Sequence, residues 1–65
     1  MTRKERDFVK ANLRVARVAL ADARRYHEDA VNRGDNEYAA QWTEKAGERL
    51  HHVLVLQDLL NGNVG

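Results

Sequence analysis

Asn32-Arg33-Gly34-Asp35-Asn36 decides the fold of this chain. Gly34 fits the left-handed position that closes one helix, and Asp35 or Asn36 fits the N-cap of the next, so the chain reverses within a few residues. Reading outward from Gly34, apolar residues match in pairs whose numbers sum to 69: Ala30 with Ala39, His27 with Trp42, Ala23 with Ala46, Leu20 with Arg49, Ala16 with Val53, Leu13 with Leu56, and Val9 with Leu60. Each ladder advances by alternating steps of three and four, the spacing of a seam between antiparallel helices. Arg49, with Leu50 beside it, interrupts the apolar character. The sequence therefore predicts an all-α fold, an antiparallel two-helix hairpin of coiled-coil type, with Val9, Leu13, Leu20, His27, Trp42, Val53 and Leu60 along its seam.

The ends of the helices are also legible. Thr2 followed three positions later by Glu5 has the form of a capping box, and Asn61-Gly62 supplies a C-terminal stop. The expected boundaries are residues 3–33 and 36–61 with the turn at 33–36, one helical hairpin spanning 1–65 as a single domain. Small residues pair near Gly34 and large ones at the open end, which predicts helices that approach closely at the turn and splay at the termini.

Sixty-five residues stand near the lower limit for an independently stable domain. The chain has no Cys, so disulfides and thiolate metal sites are excluded and self-association is the expected source of extra stability. The apolar arc of helix 1 is wider than one partner helix covers, and that of helix 2 extends over more than half its wheel. Phe8, Val15 and Val18 with Leu54, Leu56 and Leu59 are the candidates for self-association, giving a homodimer that forms a two-fold four-helix bundle. No apolar run approaches the roughly 20 residues that cross a bilayer, and the opening Met-Thr-Arg-Lys-Glu leads into no signal-peptide core. The expectation is a soluble, cytoplasmic protein without membrane contact.

Charge is unevenly dealt. Residues 1–25 hold eight basic and three acidic side chains, the remainder three basic and seven acidic, so a net +1 conceals opposite halves. On a wheel of roughly 100° per residue, Arg3, Arg6, Lys10, Arg14, Arg17, Arg24 and Arg25 fall on one stripe of helix 1. Positive charge near a helix N-terminus opposes the macrodipole, so local helix stability does not explain it. Three readings compete: an acidic protein surface engaged by complementary potential, nucleic-acid phosphates gripped by Arg, or a solvated face kept for solubility. The modest net charge, the acidic helix 2 and the lack of an interleaved aromatic favour the protein partner over nucleic acid.

Chemistry finds little foothold. Glu48-Arg49-Leu50-His51 forms an ExxH string, with Asp22 as a conceivable helix 1 carboxylate, yet Glu48 and His51 fall on the wheel opposite the seam and cannot share an ion inside a bundle. No nucleophile, phosphate loop or paired buried acids appear, so no catalytic residue, metal, cofactor or small-molecule substrate is expected. Trp42, Tyr38 and Tyr26 should close the narrow end of the core or the dimer seam, with His27 packed against Trp42.

A chain of this length that opens Met-Thr-basic and forms one helical hairpin with Ala at heptad positions resembles the Rop family of plasmid copy-number regulators in architecture. The resemblance implies a four-helix-bundle dimer that contacts RNA through its helix 1 faces. Arg3 and Arg25 correspond in charge to that family's RNA-contacting positions; the polar and aromatic residues that accompany them there have no counterparts here. The sequence thus predicts a non-enzymatic, self-associating regulator or adaptor that binds another protein, of the kind found among phage and mobile-element accessory proteins. RNA binding and a purely structural assembly role stand as the alternatives.

Overall fold

Both helices begin on side-chain caps and end on left-handed glycines. A computed structural model describes residues 1–62 of the chain, and in it α1 spans Arg3–Arg33 and α2 spans Asn36–Asn61. At the start of α1 the Glu5 N–H donates to Thr2 Oγ1 at 3.2 Å while the Thr2 N–H donates to Glu5 Oε1 at 3.3 Å, a closed capping box. The carboxylate is the acceptor in this arrangement, and the Thr2 side chain and backbone together hold Glu5 below the ordinary carboxylate range.

The turn is built as the sequence requires. Gly34 sits at φ 75°, its N–H donates to the Val31 carbonyl at 3.0 Å, and the Asp35 N–H donates to the Ala30 carbonyl at 2.9 Å, the paired bonds of a Schellman motif. Asp35 then caps α2 through Oδ1, which accepts from the Tyr38 N–H at 3.1 Å. With only Gly34 and Asp35 between them, helices of 31 and 26 residues must run antiparallel, and the long axis of the molecule, 47 Å, is about that of α1 alone at ~1.5 Å per residue.

The buried residues among those described, Leu13, Ala16, Leu20, Ala23, Ala30, Ala39, Val53 and Leu56, all belong to the matched ladders. Leu13, Ala16, Leu20, Val53 and Leu56 form the main cluster, with Val9, Ala46, Leu59 and Leu60 packed around it. Toward the turn the seam narrows to alanines, of which Ala23 and Ala30 expose no surface. Large aliphatic residues thus fill the open half of the seam, and alanines flank His27 and Trp42 in the closed half.

Arg49, the interruption, is accommodated rather than expelled. Its Nη1 donates to the Ala19 carbonyl of α1 at 2.6 Å, and its guanidinium lies 5.5 Å from the Trp42 ring centroid. The stem covers the seam while the head finds a backbone oxygen and an aromatic face. Trp42 itself stacks on Tyr26, with centroids 4.8 Å apart, and meets the edge of Tyr38 at 6.0 Å. The ring expected against Trp42 was that of His27; Tyr26 takes that place, and half-buried His27 lines a shallow groove with Arg24, Thr43 and Ala46. One residue step rotates the helix by roughly 100°, enough to send the two side chains to different flanks. No helix among the described residues is long and apolar enough to cross a membrane.

Candidate interaction surfaces

Helix α1 presents three faces separated by about a third of a turn each on a wheel of roughly 100° per residue. One is the hairpin seam. The second carries Phe8, Val15 and Val18, which are 72%, 69% and 58% exposed. The third is the basic stripe, on which Arg3, Arg6, Lys10, Arg14, Arg17, Arg24 and Arg25 are all exposed.

The six residues expected to self-associate do not share a face. Leu56 is buried in the main cluster and Leu59 is half-buried against it, both consumed by the hairpin itself. Leu54 is exposed, but with Leu50 it lies on the flank that α2 shares with Arg17 and Arg24, away from Phe8 and Val15. The flanks are marked by two shallow grooves. Arg24, His27, Thr43 and Ala46 line one; Ala16, Ala19, Glu48, Arg49 and His52 line the other. On α2 the second flank carries Lys45, Glu48 and His52 beside the Tyr38 and Trp42 rings, so the exposed aliphatic surface there comes from α1.

Of the remaining seam residues, Leu13, Leu20 and Val53 are buried, and Val9, Leu60, His27 and Trp42 are half-buried. The Trp42 Nε1–H is buried without a hydrogen-bond partner, at a cost of about 1–3 kcal/mol. Among the described residues no three His, Asp or Glu side chains converge as a metal would need, and Glu48 and His51 are both exposed.

Ion pairing is sparse. Arg25 meets Asp22 at 3.5 Å and also lies over the Tyr26 ring at 5.4 Å. Arg33 lies over Tyr38, and Lys45 and Arg49 over Trp42. Arg3, Lys4, Arg6, Lys10, Arg14, Arg17 and Arg24 meet neither an acid nor a ring among the described residues. The chain matches no protein-family model, no curated protein and no solved structure.

Sequence reading did not isolate two of these features. One is the role of Arg49, whose position inside an otherwise apolar ladder was the available signal. The other is the polar continuation of the Phe8 strip at Lys4 and Asp22, which an apolar count passes over.

Proposed function

We propose that the chain is a non-enzymatic, self-associating helical adaptor or regulator, and that its basic stripe docks an acidic, partly apolar segment of another protein. The supporting observation is the composition of one flank. Lys10, Arg17 and Arg24 of α1 stand there without acidic partners, beside Leu50 and Leu54 of α2, which are 39% and 48% exposed. Cations next to exposed leucines suit a partner that offers carboxylates and apolar side chains together, as an amphipathic acidic helix does. Bases would need a stacking platform, and Tyr26, Tyr38 and Trp42 cluster on the opposite flank. Self-association is supported by the size of the exposed Phe8, Val15 and Val18 strip in so small a chain, and two hairpins joined through it make a four-helix assembly.

Affinity capture from cells that express the chain tests the docking surface. Wild type, Arg17→Glu/Arg24→Glu and Leu54→Glu are compared before and after nuclease treatment. A protein retained by wild type, lost from both variants and indifferent to nuclease supports the reading. Material that nuclease releases, that the Arg change abolishes and that Leu54→Glu still retains would replace it with phosphate binding.

A further inference from the structure

The exposed strip of α1 has a second heptad pattern of its own: Lys4, Phe8, Ala11, Val15, Val18 and Asp22, with steps of four and three. Val15, Val18, Ala19 and Asp22 stand at i, i+3, i+4 and i+7, the four corners of a coiled-coil hole, and together with Arg14 they line a surface hollow. No α2 residue lines it among the described residues, and its one ion pair is the exposed contact of Asp22 with Arg25 of the same helix.

Resting on the self-association proposed above, we infer that a second copy of this chain packs along this strip with its α1 antiparallel, so that Phe8 of each copy enters the hole of the other. In this register paired residue numbers sum to 26: Phe8 meets Val18, Ala11 meets Val15, and Lys4 meets Asp22. Every layer is then apolar on apolar or opposite in charge. A parallel pair would stack Lys4 on Lys4 and Asp22 on Asp22. Sliding the antiparallel pair by one heptad, to a sum of 33, would set Phe8 on Arg25 and Ala11 on Asp22, desolvating charge against apolar surface. Charge and size therefore select one register.

The strip from Lys4 to Asp22 is about 27 Å long at ~1.5 Å per residue, and a helix pair of that length covers on the order of 1,000 Å² in total, the lower end for a specific interface. A dimer of this size dissociates on dilution. Because the basic stripe lies roughly 120° from the strip on one side and α2 lies further round on the other, the two-fold axis brings both stripes to one side of the dimer and both α2 helices to the other. The flank of each copy that carries Arg17, Arg24, Leu50 and Leu54 then faces away from the partner and stays open in the dimer.

Sedimentation equilibrium at low salt tests the register with wild type, Lys4→Glu, Asp22→Lys, their equimolar mixture, and Phe8→Ala. Wild type is expected to dimerise. Each charge variant alone should dimerise at least tenfold more weakly, because both symmetry-related pairs become like-charged, and the mixture should recover wild-type affinity, because both pairs are then opposite. Phe8→Ala should also weaken the dimer while helicity by circular dichroism is unchanged. A wild type that dimerises, with charge variants that associate equally well or a mixture no tighter than its components, overturns the register and leaves self-association standing. A wild type that stays monomeric at high micromolar concentration overturns both.

Discussion

Arg49 should matter to stability far more than any arginine of the basic stripe, although all carry the same charge. Its 2.6 Å bond to the Ala19 carbonyl joins the two helices, and a hydrogen bond from a charged donor contributes about 1.5–3 kcal/mol. The contact with Trp42 at 5.5 Å adds about 0.5–1 kcal/mol. The side chain is half-buried and Ala keeps helix propensity, so the lower part of that range applies and Arg49→Ala should cost about 2–3 kcal/mol. For a domain of this size that corresponds to a fall in Tm of roughly 10–20 °C. Arg49→Lys should recover about half, since an ammonium cannot serve the carbonyl and the ring with one planar group. Arg17→Ala and Arg24→Ala, exposed and unpaired, should stay within about 0.5 kcal/mol of wild type. Urea unfolding followed by circular dichroism, at one fixed protein concentration, compares them. An Arg49→Ala protein as stable as Arg17→Ala would show that the bond does not hold the helices together, and the account of how the seam tolerates a cation would fail.

Trp42→Phe should be no less stable than wild type in the same assay: it loses some stacking on Tyr26 but removes a buried donor without a partner, and a loss above about 1 kcal/mol would mean that the indole N–H is satisfied in solution. The two glycines near the middle of the chain should respond with opposite sign. Gly34→Ala should destabilise by about 1–2 kcal/mol because φ is 75°, whereas Gly47→Ala should stabilise by about 0.5–1 kcal/mol, since a Cβ there meets nothing within 4 Å and the residue is helical. Because the Glu5 carboxyl is held below its ordinary range, its contribution is present at neutral pH and vanishes as pH falls through the folded value. Amides of Arg6 and neighbouring first-turn positions should therefore lose protection relative to their intrinsic exchange rates in acid, and Thr2→Ala should flatten that dependence.

The hairpin was legible because several local signals agree. The Thr2 cap, the Gly34 reversal, the Asp35 cap and the Gly62 stop each act through bonds within a few residues, and the ladders between them carry one period throughout. The surfaces were less so, for a physical reason. A wide apolar arc shows that more than one contact exists but not which residues each contact uses. Leu56 and Leu59 went to the hairpin because they lie within reach of Leu13 and Val9 across the seam, and only the packed pair of helices reveals what is left over. The same limit applies to Trp42, since adjacent positions 26 and 27 both approach it along the chain and rotation about the helix axis decides between them.

The placement of charge along α1 separates what the hairpin uses from what it does not. Arg3, Arg6 and Lys10 crowd a helix N-terminus, where the macrodipole disfavours them, but antiparallel packing sets them beside the C-terminal end of α2, whose last turn holds no basic residue. The neighbouring helix supplies the negative end that their own helix lacks. That compensation fades within a turn or so of the terminus, and Arg14, Arg17 and Arg24 lie well beyond it. They also pair with no acid and cover no aromatic face among the described residues, while Arg25, Arg33, Lys45 and Arg49 do one or both. Intramolecular electrostatics thus accounts for the basic residues at the open end and around the aromatic cluster, and leaves the middle of the stripe without a use inside the monomer. It is there, next to Leu50 and Leu54, that a contact with another molecule has the most to gain.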